Sequence, residues 1–376
     1  MQPVITDPLT SSDHLEISAM VGDFTQRVFS SDRVRAAAAG APGFDEPAWK
    51  QMVELGWSGL GVPAAAGGGE LGVFVQCIVH RELGARLAPS PYLATAAFAA
   101  TALDELADPE LAGGLLAAIA GEATLLALVL GHGRGWSSAP SPLVTATRSG
   151  AGWVLDGAVP LVLDATRARR LIVVAAIDGR NWGLFGVEGA GVSRPVATVD
   201  STRAFGDLLL RETPAVALHR DPFGRARIDA LVDRLAVFLA AEMVGAAIAC
   251  LNQTLDYLRT RRQFGRPIGS FQALKHRCAD LAVGLTTAQE LVFAAAETAD
   301  TGDAAALALF APLALARAGE ALKRTSEEGI QLHGGVGFTD EFDIGRYYKR
   351  ALADLEILSG PVTAYARMDA VRRGPA

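Results

Sequence analysis

Apolar positions along the chain change their spacing twice. Up to about residue 122 they recur every three to four residues. In SSDHLEISAMVGDFTQRVF they are Leu15, Ile17, Met20, Val21, Phe24 and Val28, behind Ser and Asp residues suited to capping, which predicts a helix. PAWKQMVELGW predicts a second helix, stopped by Gly56, and VFVQCIVHRELGARLAPSPYL a third, ended by prolines; two Ala/Leu-rich helices follow. From about 123 the segments are short, rich in β-branched residues and separated by Gly, Asp and Pro: ATLLALVLG, LVTATRSGAGWVLDGAVPLVLDA, RRLIVVAAID, NWGLFGVEG and DLLLRE. TRSGAGWVLDGAV reads as a hairpin, and no helical pattern intervenes, so a barrel or sandwich is expected. From about 225 long, nearly continuous apolar helices return, through IDALVDRLAVFLAAEMVGAAIACLNQTLDYLRTRRQFG, SFQALKHRCADLAVGLTTAQELVFAAAETA and AAALALFAPLALARAGEALKRTSEEGIQLHGG, with a last helix from near Pro361. Apolarity on all sides implies burial in a bundle or at a subunit interface. The expected fold class is α+β, with an N-terminal helical domain (1–122), a middle β-barrel or sandwich domain (123–222) and a C-terminal four-helix bundle (223–376).

Composition narrows the function classes. The chain has 376 residues, half of them hydrophobic, enough for a large core. A net charge of −7 argues against a general nucleic-acid binder, which needs a basic face. The N-terminus lacks the basic and apolar regions of a signal peptide. The most apolar run, LAVFLAAEMVGAAIACL, is interrupted by Glu242 and reads as too short to span a bilayer. A soluble cytoplasmic protein is expected. Cys77, Cys250 and Cys278 are scattered in apolar settings and read as reduced core thiols. No His pair has metal-ligand spacing, so no metal site is expected. The loop VPAAAGGGELG lacks a Lys-Ser/Thr end and a preceding strand, and is a poor phosphate loop.

Two segments carry candidate chemistry. In RTRRQFGRPIGSFQALKH the polar set Arg261, Arg262 and Gln263 interrupts an apolar helix, and planar guanidinium groups at such a break suit a diphosphate. In EEGIQLHGGVGFTDEF, Gln331 with Gly334 and Gly335 sets an amide and exposed N–H groups beside a turn that a ligand can approach closely. With GLGVPAAAGGGELG and HRELGARLAPSPY, these segments resemble the acyl-CoA dehydrogenase family in order and spacing, over nearly the whole chain. The resemblance implies an FAD shared between subunits of a dimer or dimer of dimers. It implies that Arg261 contacts the FAD pyrophosphate of a neighbouring subunit, that Gln263 and Phe264 line the same segment with Gln272 nearby, and that Gln331, Gly334 and Gly335 hold the adenosine diphosphate half. Phe264 reads equally well as plain core, and Arg262 and Arg266 as solvated. The implied reaction is α,β-desaturation of an acyl thioester, carried by CoA or an acyl carrier protein, with an electron-transfer flavoprotein as acceptor. A Glu is the family's usual base.

The chain departs from that pattern where the chemistry would sit. The base position, in a stretch resembling YEGT, falls on Leu358, or on Ser359 with one inserted residue. An alternative base position on the long helix falls near Leu235. Asp233 lies about 200° around the helix from Leu235, so it is expected to face elsewhere, and Glu242 is expected to meet an Arg or a polar cofactor edge. Where relatives carry an EPGAGSD-like loop this chain has LGHGRGWSSAP, with Ser137 or Ser138 as possible hydroxyls. Leu163 stands where relatives place a flavin-bonding Thr. In DLEILSG, read as an extended half-buried edge, Asp354 and Glu356 would share one face.

Three readings follow. One is a base-less subunit of a heteromeric acyl-CoA dehydrogenase, similar to actinobacterial members that act on bulky acyl chains such as steroid side chains; APSPYL, VATVDSTRAFGDLLL and KRALADLEILSG look like that group. Another is an autonomous homo-oligomeric enzyme with an unusual base, Glu242 or Glu356. The third is a non-redox scaffold that keeps the fold. A flavin monooxygenase on the same fold has no distinguishing feature here.

Overall fold

A computed structural model describes residues 5, 7–40, 43–133, 135–136, 141–178, 180–189, 191–339, 342–358 and 360–373. Helices α1 (Ser12–Val28), α2 (Ser31–Ala39), α3 (Glu46–Glu54), α4 (Val73–Ala85), α5 (Ala100–Leu106) and α6 (Pro109–Gly121) form the N-terminal domain, and a π-type turn at Leu93–Ala99 leads into α5. The apolar stripe of α1 buries Val21, Phe24 and Val28, but Leu15 and Met20 stay exposed and Ser11 makes no side-chain cap. The strands are β1 (Leu126–Leu130), β2 (Val144–Ser149), β3 (Gly152–Leu163), β4 (Arg170–Ala176), β5 (Trp182–Glu188), β6 (Ser193–Val196) and β7 (Phe205–Ala217); all but the short β6 fall in segments expected to be strands. They form one seven-stranded sheet in which β4, β2, β3, β7 and β5 pair in a closed ring. The predicted hairpin is β2–β3, turning between Ser149 and Gly152. Leu155, Val173, Phe185 and Leu210 fill the barrel interior.

The C-terminal domain is built from α7 (Arg225–Thr260), α8 (Gln272–Thr301), α9 (Ala304–His333), α10 (Ile344–Ile357) and α11 (Gly360–Arg373); a two-residue ribbon, β8 (Arg262–Gln263) and β9 (Arg266–Pro267), joins α7 to α8. α7 runs through the centre of the largest core. It crosses α4 with the backbones in contact: a Cβ on Gly84 would lie 2.0 Å from the Glu242 carbonyl oxygen, and one on Gly245 would lie 1.9 Å from that of Arg81. α4 has no capping side chain of its own. Asp300 of α8 supplies it, accepting from the N–H groups of Val73 (2.5 Å) and Phe74 (3.0 Å), so the glycine loop before α4 ends in a structural cap.

Two expectations are corrected. DLEILSG is not an extended edge: Asp354 and Glu356 belong to α10, two residues apart and thus on opposite sides of a helix, Asp354 buried and Glu356 exposed. The alternation misled because the segment is the last turn of an amphipathic helix. Nor are the apolar runs too short for a bilayer. α7, α8 and α9 are each long and apolar enough to cross one by length and composition. In α7, however, 83% of that apolar window is buried inside the chain, because the helix is the hub of the core. All three cysteines are free and buried, as expected.

Candidate functional site

The sequence-predicted residues gather at one end of the bundle. The chain leaves α7 at Arg261, turns through β8–β9 and enters α8 at Gln272, while α9 ends beside it. Tyr257 holds the two ends together: its hydroxyl donates to the His333 carbonyl oxygen (3.2 Å) and its ring stacks on the His333 imidazole with centroids 4.3 Å apart. Leu258, Cys278 and Leu332 pack beneath. This brings Arg261, Gln263, Phe264 and Gln272 to the same end as Gln331, Gly334 and Gly335, and all seven are exposed. Among the described residues neither the Arg261 guanidinium nor the Gln331 amide has a partner. Gly334 adopts φ 65°, ψ −142°, which a side chain would oppose, and space in front of Gly334 and Gly335 is open to 4 Å. Phe264 is not core: it sits at the hairpin tip with φ 51° and is 89% exposed, its ring edge-on to Phe271. Arg266 stacks over Phe271 (4.1 Å) and Arg262 donates to the Gly265 carbonyl, both on the surface as expected. Unpaired guanidinium and amide groups around exposed N–H groups fit the diphosphate half of a dinucleotide.

The second candidate region, where base and flavin-bonding hydroxyl were sought, is small and apolar. Leu163 and Leu358 line one apolar cleft of about 50 Å³ with Phe98, Leu128, Leu130, Leu161 and Ile357. At roughly 10–15 Å³ per water that admits a few waters and no tricyclic ring. No ionisable group lines it among the described residues. β3 is bulged there against β7 between Val159 and Val162, with Leu161 and Asp164 at positive φ. For a bulky residue that is strained backbone, held in place by Asp207 accepting from the Leu161 N–H (3.0 Å). Gly133, in the loop that replaces the EPGAGSD-like segment, lines the cleft too. Gly135, at φ 53°, passes so near the Leu358 carbonyl that a Cβ would lie 2.5 Å from its oxygen. Trp136 donates to Asp233 (2.7 Å), and Arg367 of α11 binds the other Asp233 oxygen. Asp233 therefore faces away from Leu235, as expected, and Leu235 is in the core. Ser137, Ser138 and Ser359 lie outside the described residues. These residues do not fit a flavin ring.

Glu242 does meet arginine, in an array that the sequence reading missed. Arg203, from the loop between β6 and β7, donates to Asp354 (2.6 Å) and Glu242 (2.8 Å); Arg350 donates to Glu242 (2.7 Å), Asp200 (2.8 Å) and the Thr202 hydroxyl (2.5 Å). All five charged residues are buried. Burial works to raise the Glu242 carboxyl, but the guanidinium groups of Arg203 and Arg350 outweigh it and bring it down to about 2. Burial pushes Asp354 up to about 6 against the pull of Arg203 and Arg350. His80 of α4 lies 3.9 Å from Glu242, too far for a hydrogen bond, and burial lowers it. Neither Glu242, held by two arginines, nor exposed Glu356 lines the cleft. The available signal was charge inside apolar helices: Glu242 in α7, and Arg350 and Asp354 one turn apart in α10, each needing a buried partner.

The chain matches two family profiles: "Acyl-CoA dehydrogenase, N-terminal domain" over residues 11–122 and "Acyl-CoA dehydrogenase, C-terminal domain" over 223–369. It is 37% identical over 339 residues to "Acyl-CoA dehydrogenase IpdE2" of Mycobacterium tuberculosis, covering 89% of this chain and 90% of that one. Among solved structures it is similar to the ChsE4-ChsE5 complex from Mycobacterium tuberculosis (TM-score 0.87, 26% identity, 99% of this chain and 100% of that one). It is also similar to a Tcur3481-Tcur3483 steroid ACAD variant (TM-score 0.85, 28% identity, 96% and 98%).

Proposed function

Since the chain belongs to the acyl-CoA dehydrogenase family, we propose that it is the base-less subunit of a two-chain enzyme that desaturates an acyl thioester. The carrying observation is that Leu358 and Leu163 face one small apolar cleft while Arg261 and Gln331 stand exposed and unpaired. In this reading Arg261 pairs with the pyrophosphate of an FAD seated mainly in the other chain. Gln331 and the N–H groups of Gly334 and Gly335 bind the adenosine side, with Gln263, Phe264 and Gln272 flanking. The flavin, when bound, supplies hydride acceptance; the other chain supplies the carboxylate base. Similarity to a steroid ACAD and to complexes of two named chains supports a bulky, steroid-like acyl group and a heteromer. CoA is the expected thioester carrier and an electron-transfer flavoprotein the acceptor.

The test is co-expression with an acyl-CoA dehydrogenase-family chain that carries the glutamate, followed by FAD per protomer and steroid acyl-CoA oxidation with a dye acceptor. The pair should hold flavin and turn over, and this chain alone should do neither. One flavin per protomer with turnover by this chain alone would overturn the proposal.

A further inference from the structure

The buried array has an uneven charge count. Arg203 and Arg350 face three carboxylates: Asp200, Glu242 and Asp354. The other titratable groups around it do not restore balance. Asp164 and Arg167, in the turn after β3, pair with each other at 3.0 Å and cancel. His80, on the α4 side, is held neutral by its burial. With every carboxylate ionised the array therefore carries one excess negative charge in the interior, which is costly. One atom marks where a compensating proton fits: Asp354 Oδ2 is buried and without a partner among the described residues, while Oδ1 takes the Arg203 bond.

The array also joins separate parts of the chain. Asp200, Thr202 and Arg203 come from the barrel, Glu242 from α7, and Arg350 and Asp354 from α10; Arg350 also reaches the Leu87 carbonyl oxygen at 3.4 Å. Both cleft walls are attached to it, since Asp164, next to Leu163, donates its N–H to the Ala204 carbonyl beside Arg203 (2.9 Å), and Leu358 follows Asp354 by one turn.

We propose that this array is a proton-held latch: with a proton on Asp354 the β6–β7 loop is locked to α7 and α10, and loss of that proton to solvent loosens the loop and the cleft walls it secures. The raised Asp354 carboxyl sets the direction. Stability from this proton is complete below the ordinary carboxylate value and is lost as pH rises through about 6. Burial brings His132 down to about 4, below that window, and lowers His333 as well.

The test is hydrogen–deuterium exchange on the full chain at about pH 5 and about pH 7.5, corrected for intrinsic rates. Peptides covering 198–206 and 350–358 are compared with the hairpin 144–158 as reference. Protection in the two array peptides should fall about tenfold at the higher pH, the equivalent of one pKa unit, and the hairpin should not change. Asp354→Asn should abolish the step. Glu242→Gln, which balances the count with Asp354 ionised, should abolish it too, and it decides the matter if Asp354→Asn does not fold. Equal protection at both pH values in the unaltered chain, or a step that survives in the variants, sinks the latch.

Discussion

The hairpin end of the bundle and the Leu163–Leu358 cleft are built with the same device and put to opposite use. Each holds a bulky residue at positive φ: Phe264 at 51° and Leu161 at 55°. At the hairpin the strained residue points out, among unpaired polar groups. At the cleft it points toward other leucines, and the surrounding side chains satisfy one another. Exposed polar groups without protein partners are solvated by water and stay free to take up a ligand. A small apolar cleft offers no polar group to a ligand, and it resists the entry of a ring because entry would separate packed carbon. The same chain thus leaves polar groups free in one place and packs apolar ones in the other, the arrangement that the proposed half-site calls for.

The largest test of this contrast uses one substitution in each kind of setting. Arg203→Met should lower stability in urea denaturation by about 3–5 kcal/mol, since it leaves Asp354 and Glu242 buried with half their compensation. Arg261→Met, on the surface, should change stability by less than about 0.5 kcal/mol. Equal losses would mean that the hairpin end is not a free surface. Next in size, Leu358→Glu places a carboxyl in the small apolar cleft. Burial should raise its pKa by roughly two units, costing about 3 kcal/mol at pH 8 and little at pH 4, because the penalty appears only once the group ionises. A pH-independent loss would show that the cleft is open to water. In the reconstituted two-chain enzyme, Arg261→Ala should weaken flavin retention about tenfold or more, the worth of a charge-assisted pair at roughly 1.5–3 kcal/mol, read by flavin fluorescence during dilution. The smallest effect is at the hairpin tip. Phe264→Gly should stabilise the isolated chain by about 1 kcal/mol, because it relieves a left-handed φ without removing packed surface, and thermal melts will read it.

Much of the fold was legible because each region had a strong periodic signal. The long apolar helices and the Gly-turned hairpin followed directly. The motif around Arg261 and Gln331 was legible as well, since Gly, Arg and amide residues break an apolar pattern conspicuously. α10 was misread because over its last four residues a two-residue alternation and a helical turn look alike. The buried array escaped notice because its members are far apart in sequence: Arg203 and Asp354 are 151 residues apart. A charge in an apolar helix announces that it has a partner, not which one. The strained residues Leu161 and Leu87, the latter at φ 50°, left no local trace, since tertiary contacts impose their backbone angles.

The cap that Asp300 provides for α4 has a consequence for biosynthesis. The helix it completes begins 227 residues earlier, and at synthesis rates of about 5–20 residues per second the cap emerges on the order of 10–45 s after its helix. Meanwhile Gly84 of α4 waits for the backbone of α7. α4 therefore cannot reach its final packing while the barrel is being made. A chain stalled before α8 should leave the start of α4 open to protease.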